Sequence, residues 1–320
     1  MENIRKKYRW LDIGEDARRQ YTDALAVFTA RETALKNAGQ VRGGMYWKKQ
    51  GSASYLIRTS PNNSQKSLGP RSTETEAIYA KFSARKSQAT QRLSDLSLEL
   101  DRQQRMNRAL RVGRAPRILI DLLNQLEKSG LAEYFTVVGT HALYAYEASA
   151  GVQFGHAEAM ATRDIDLLFD TRNRLSFVTQ MTKLGSSMLA LMQKVDATFE
   201  IRPDQTYTAV NSKGFEVDII RREVIDGDPH PLRLTENEDD FYAVQAQRAG
   251  TLLDGPRFSS MIISVTGHMA RMNTVSPLAF VTFKRWMARQ PDRNPMKRDR
   301  DMLQAALVEE MVEEYLPQQV

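Results

Sequence analysis

The sequence contains no cysteine among its 320 residues, which excludes disulfides and thiolate metal ligands and is compatible with a reducing cytoplasm. No run of about eighteen apolar residues occurs, so no helical membrane span is expected. The opening MENIRKKYRWLDIGED has no apolar signal core, and the expectation is a soluble, cytoplasmic protein. Only four histidines are present, and their spacing suits no metal site; His141 is kept in view because it directly follows a Gly-Thr turn. A Gly-Lys-Ser phosphate loop, a Gly-x-Ser-x-Gly elbow, internal repeats and low-complexity tracts are all missing.

Acidic residues are scarce at the front. Residues 1–117 hold 24 Lys and Arg against 11 Asp and Glu, whereas residues 118–320 hold 21 against 28. With 42% hydrophobic and 26% charged residues, the composition is that of a globular chain of two or three domains. A basic module followed by an acidic one suggests that the front meets a polyanion and the back carries the chemistry. A solvated basic helix that binds nothing is the alternative.

Within the basic module, residues 1–116, the pattern predicts a helix over 14–38 and a β-hairpin over 43–60. A breaker-rich loop follows, then a long polar helix from a capping box at Ser72 or Thr73 with Glu76 to about Leu110. Tyr46, Lys48, Lys49 and Arg58 of the hairpin are the nucleic-acid candidates: an exposed aromatic stacks on bases while cations hold phosphates. The same aromatics can instead pack on the long helix, the favoured reading for Trp47.

The acidic part opens with an amphipathic helix over Arg117 to Lys128, a buried strand over Tyr134 to Val138, and Gly139-Thr140 turning into a helix over His141 to Ala150. Free N–H groups at such a helix start favour a phosphate. In ATRDIDLLFD, residues 161–170, strand alternation puts Asp164 and Asp166 on one face, where unpartnered carboxylates repel. Asp218, in GFEVDIIRR, projects from a second strand. Three such carboxylates can hold two divalent ions about 4 Å apart, bridging nucleotide phosphates and activating an acceptor hydroxyl, so Mg²⁺ is the expected partner of the Asp pair, with Mn²⁺ as a substitute.

Gly139-Thr140 opening a helix, Thr162-Arg163-Asp164-Ile165-Asp166 and the distant Asp218 resemble the DNA polymerase beta-type nucleotidyltransferase superfamily, over roughly residues 117–225. Bacterial nucleotidyltransferase-domain proteins, including abortive-infection type toxins, are the nearest relatives suggested. The resemblance implies an α+β fold with a mixed β-sheet backed by helices, a nucleoside triphosphate substrate with Mg²⁺, and transfer of a nucleoside monophosphate to a hydroxyl. It assigns triphosphate oxygens to Gly139 and Thr140, both metals to Asp164 and Asp166, and one metal plus the acceptor hydroxyl to Asp218; Arg163 is a further nucleotide-binding candidate. Thr140 stands where serine is usual, and EASAGVQFGHAEAMA lengthens the gap before the Asp pair.

Residues 226–320 are expected to form a mostly helical lobe that completes the nucleotide site. Relatives use a lysine on a helix after the catalytic sheet to reach the triphosphate; Lys284 is the candidate here, with Lys297 or Arg298 assisting, the last two on a helix begun at Asn294 and Pro295. The favoured acceptor is a tRNA-like RNA, with DNA as an alternative and an antitoxin as a further partner. Other readings are nucleotidylation of a small molecule or protein, a nucleic-acid-binding protein with a degenerate site, and a glycosyltransferase use of the Asp-x-Asp pair.

Overall fold

The computed structural model describes residues 10–160, 162–225, 228 and 230–319. Contacts divide the chain into two compact units: residues 19–110, and residues 111–320 together with the chain up to Arg18.

The first strand, β1 (Trp10–Asp12), belongs to the larger unit; α1 (Glu15–Gln40), β2 (Gly44–Gln50), β3 (Ala53–Thr59), β4 (Gln65–Pro70) and α2 (Thr73–Ala109) follow it. The expected hairpin is therefore a three-stranded antiparallel sheet, ordered β2-β3-β4. Residues 65–70, expected as loop, pair with β3, and Gly69 and Pro70 are tolerated because β4 is an edge strand whose ladder shifts register at Leu56/Ile57. Ser72 caps α2, but the reciprocal partner is Thr75, whose hydroxyl accepts from the Ser72 N–H at 2.9 Å. Glu76 instead pairs with Arg71 at 2.7 Å. Trp47 is half-buried, its ring centroid 6.0 Å from that of Tyr79 on α2, as the packing reading requires. Gln20 on α1 donates to Gln103 and Asn107 on α2 at 2.7 and 3.0 Å, a buried polar clasp between the two helices.

The larger unit continues with α3 (Arg117–Lys128), β5 (Phe135–Val138), α4 (Leu143–Ala150), β6 (Val152–Phe154), α5 (Ala157–Met160), β7 (Asp164–Phe169), α6 (Arg174–Leu184) and α7 (Met188–Gln193). Next come β8 (Glu200–Arg202), β9 (Gln205–Val210), β10 (Glu216–Arg221), β11 (Leu232–Arg233), β12 (Tyr242–Gln245), α8 (Ala249–Asp254), β13 (Arg257–Ile263), β14 (Met269–Val275), α9 (Pro277–Ala288) and α10 (Pro295–Tyr315). Among the described residues the main sheet runs β11-β12-β10-β7-β5-β14-β13, with β9 pairing the first half of β10 and β8 flanking β9. Strand β7 lies parallel to β10 and antiparallel to β5, so the architecture is α+β with a mixed sheet.

Residues on both sides of position 225 contribute to this one sheet, and its core is continuous. Ile165, Leu167, Leu168 and Phe169 of β7 are fully buried, as are Leu119 and Ile120 of α3 and Val308 and Met311 of α10. The apolar face of α3 follows directly from the spacing of Leu119, Leu122, Leu123 and Leu126. Burying such side chains contributes roughly 1.5–3 kcal/mol each, which fixes the position of the sheet on which the acidic residues stand. Strand β1 pairs with β6, and Trp10 packs 5.4 Å from Phe154 and 5.7 Å from Tyr315.

Candidate active site

Parallel pairing of β7 with β10 sets Asp164 opposite Glu216 and Asp166 opposite Asp218. Because side chains two apart share a face, all four carboxylates project on the same side of the sheet. Asp218, the distant third acid, is therefore a direct cross-strand neighbour of Asp166. Glu216 is a fourth acid, not anticipated from the sequence, although its alternation with Asp218 was the available signal.

Each outer acid is held by a neighbour. Thr208 is buried on β9 and stands opposite Asp218, to which its hydroxyl donates at 2.6 Å. Arg202 donates to Glu216 at 3.0 Å, and the Thr162 hydroxyl donates to Asp164 in a short contact. Asp166 accepts no such bond among the described residues.

Gly139 borders Asp166 from the other side, since β5 pairs Val138 with Asp166. Its φ is +68°, and a Cβ built there would stand 2.2 Å from Asp166 Oδ2. Backbone conformation and space both demand glycine. Residues 139–142 form a 3₁₀ turn before α4 begins at Leu143, a short correction to the expected helix start. Thr140 is buried, and its hydroxyl accepts from Gln304 Nε2 at 3.0 Å; the same amide nitrogen donates to the Ala159 carbonyl at 2.7 Å. Gln304 on α10 thus ties the Gly-Thr turn to the C-terminal helix, and nothing local in the sequence marks it.

The electrostatics follow from this crowding. Asp166 lies deep among protein atoms while part of its surface still reaches solvent, and burial followed by the charges of Asp164 and Asp218 pushes its carboxyl up to about 7, against the pull of Lys284 and Lys297. Burial also raises Asp218; the Thr208 hydrogen bond opposes this, and Asp164 and Glu216 add to it. His141 is buried beside Phe215, pushed down to about 4 by desolvation against the attraction of Asp164. Asp164's backbone favours the charged ring, yet neither ring nitrogen makes a hydrogen bond of normal geometry.

Among the described residues no three acidic or imidazole groups form a ready-made metal cage. A metal's fit therefore rests on the donor set. Hard carboxylate oxygens without sulfur suit Mg²⁺ or Mn²⁺, and a cation would relieve the repulsion that raises Asp166. The residues fit such an ion.

Of Lys284 and Arg285, adjacent on α9, Lys284 is the buried one. Its ammonium donates to Asp301 Oδ1 at 2.8 Å, while Arg293 holds Asp301 Oδ2 at 2.7 Å. Burial lowers its pKa, and the charges of Asp301 and then Asp166 oppose the fall. Arg285 leaves the stripe and pairs with Glu309. Lys297 is exposed in the first turn of α10, where its charge is felt at Asp166. Arg298 donates to the Gln290 and Arg293 carbonyls at 3.3 and 3.5 Å. Arg163 is exposed at the strand entrance, its carbonyl accepting from Glu216 N–H at 2.9 Å.

In the smaller unit, Tyr46, Lys48 and Lys49 are exposed on β2, the Tyr46 hydroxyl donating to Gln65 at 3.2 Å. Arg58 is half-buried. Its guanidinium lies 4.3 Å from the Phe82 ring centroid and donates to the carbonyls of Gly44, Thr59 and Arg42. Those donors hold the start of β2 to the end of β3.

Acids on neighbouring strands and a glycine whose missing side chain makes room for Asp166 thus meet on one face of the sheet, with Lys297 and buried Lys284 acting on Asp166 electrostatically. The sequence model of the Nucleotidyltransferase family matches residues 117–320, and the chain belongs to that family. It is accordingly a transferase whose substrate is a nucleoside triphosphate. No curated protein and no solved structure matches the chain. No helix among the described residues is long and apolar enough to cross a membrane.

Proposed function

We propose that this enzyme transfers a nucleoside monophosphate from a nucleoside triphosphate to a hydroxyl of an RNA, with Mg²⁺, in the manner of the DNA polymerase beta-type superfamily. The observation that carries the reading is the register of Asp166 with Asp218, with Gly139 in contact behind Asp166. In the reaction the acceptor oxygen bonds to the α-phosphorus, the bond from that phosphorus to the bridging oxygen breaks, and pyrophosphate leaves. Asp164, Asp166 and Asp218 would hold the magnesium, which supplies charge neutralisation of the phosphates and acidification of the acceptor hydroxyl.

The chain's own groups have distinct tasks. Asp218, with its raised pKa and its orientation fixed by Thr208, is positioned to take the acceptor proton. Gly139 leaves the backbone bare where the phosphates approach, and Gln304 holds that turn through Thr140. Lys297 presents an exposed positive charge to the triphosphate, while Lys284 contributes charge from below the surface.

The acceptor assignment rests on charge. Residues 19–110 carry 16 Lys and Arg against 7 Asp and Glu, a balance of +9, and Lys48, Lys49 and Tyr46 stand exposed on one strand. Phosphate neutralisation by such a surface favours nucleic acid. Incubation with each labelled triphosphate, Mg²⁺ and pools of RNA, DNA or protein tests the reading: label is expected in RNA, and lost in Asp166→Ala. Label in protein or in small molecules alone would reassign the acceptor. A toxic role is tested by growth arrest on expression, relieved by Asp164→Ala.

A further inference from the structure

Helix α9 carries an aromatic pair that the transfer chemistry leaves unused. Phe283 and Trp286 are half-buried, their ring centroids 5.7 Å apart, on the helix that also bears Lys284. They line a cleft of about 370 Å³ together with Met287, Gln247, Gln290 and Lys297. This is the small end of the range for ligand pockets, about 300–1,000 Å³, and suits one nucleoside better than a polymer.

Two observations link this cleft to the acidic face. Lys297 lines the cleft and stands on the face of α10 that two turns later carries Gln304, the donor to Thr140 beside Gly139. Arg293, also in the lining, shares Asp301 with Lys284, and Asp301 lies between Lys297 and Gln304 on that same face of α10. One face of α10 therefore reaches from the cleft to the Gly-Thr turn, whose Gly139 abuts Asp166. Arg248 lies 5.2 Å from the Trp286 ring centroid and lines a neighbouring hollow, backing the indole.

We infer that the cleft formed by Phe283, Trp286 and Met287 is the nucleobase subsite of the incoming triphosphate, with Lys297 at the phosphate end. The proposal rests on the nucleotidyl-transfer reading and adds where the base sits. Aromatic faces stack on any base, and the Gln247 and Gln290 amides each bring a donor and an acceptor to a base edge. A bare triphosphate lacks the group this cleft recognises.

The test compares nucleoside triphosphates with inorganic tripolyphosphate on the full chain in Mg²⁺, following tryptophan fluorescence and equilibrium binding. Trp10 and Trp47 pack elsewhere, against Phe154 and Tyr79, so quenching by nucleotide is expected to vanish in Trp286→Phe. Trp286→Ala is expected to weaken nucleotide binding roughly five- to a hundredfold and to leave tripolyphosphate affinity unchanged. Phe283→Leu keeps the apolar volume without the aromatic face, and is expected to weaken nucleotide binding in the same selective way if Trp286→Ala fails to fold. Unchanged nucleotide affinity in folded variants, equal losses for tripolyphosphate, or no quenching by any nucleotide would overturn the subsite. If Asp166→Asn loses transfer while the cleft variants bind normally, the subsite is wrong and the transfer reading stands. If the cleft variants selectively lose nucleotide binding but the parent protein transfers nothing, the subsite stands and the transfer reading is wrong.

Discussion

At Gly139 two independent demands meet in one residue, a left-handed φ of +68° and a Cβ position 2.2 Å from the Asp166 carboxylate. Gly139→Ala is expected to cost about 1–2 kcal/mol in backbone strain. It must also displace Asp166, and a shift of about 1 Å can reduce turnover by roughly a hundredfold. A thermal melt and a single-turnover assay separate the two effects. Asp166 itself has a pH signature. Its carboxyl keeps its proton to about pH 7 when folded, against an ordinary value of 3.8, so the folded chain binds the proton more tightly and stability falls as pH rises between those values. Asp166→Asn, neutral throughout, is expected to melt higher than the parent at pH 8 without divalent ions, by an amount of order 1 kcal/mol or more, and to lose that advantage near pH 4. A variant that melts lower at pH 8 would contradict the strain assigned to this carboxylate.

Among elements, the pairing of β9 with β10 makes Thr208 a handle on Asp218. Thr208→Val removes the hydrogen bond that holds the Asp218 pKa down. On the proposed mechanism transfer needs the ionised carboxylate, so the acidic limb of the kcat/KM profile is expected to move to higher pH by about half to one unit, the size of a net hydrogen bond of roughly 1 kcal/mol. An unmoved limb would exclude Asp218 as the titrating base. The helices α9 and α10 are joined through buried Asp301, which pairs with both Lys284 and Arg293. Asp301→Ala leaves two cations without their partner, and a loss of about 3–5 kcal/mol is expected in denaturant unfolding. These elements differ in how far the sequence disclosed them. Period-two alternation exposed Asp164, Asp166 and Asp218 as facing residues, and the spacing of leucines drew α3. The residues of β4 were hidden because 61–70 is dense in turn formers, and only an edge position makes Gly69 and Pro70 acceptable there. Gln304 gave no signal, since its partner Thr140 is distant in sequence and a glutamine within a helix looks solvated. Lys284 was a candidate through the family resemblance, and its burial depends on Asp301, which only the packing of α10 reveals.

Over the whole molecule, the charge partition separates a basic unit of residues 19–110 from the unit that bears the carboxylates. If the acceptor binds the basic unit, as proposed, acceptor binding and chemistry are separable by mutation. Arg58 is consumed internally by Phe82 and three carbonyls, so Lys48 and Lys49 are the better pair to change. The double substitution Lys48→Glu, Lys49→Glu lies on an exposed strand and should leave the melting temperature and triphosphate affinity unaltered. If both lysines contact phosphates of a single-stranded acceptor, the slope of log K against log salt is expected to become shallower by about 1.4, roughly 0.7 for each lost contact. Arg58→Ala has the opposite profile, with lower stability of the small unit because its carbonyl-bound guanidinium is lost and little specific change in salt slope. A salt slope that is the same in the parent and the double variant would remove Lys48 and Lys49 from the acceptor path. The polyanion contact would then have to come from other cations of the basic unit, such as those along α2.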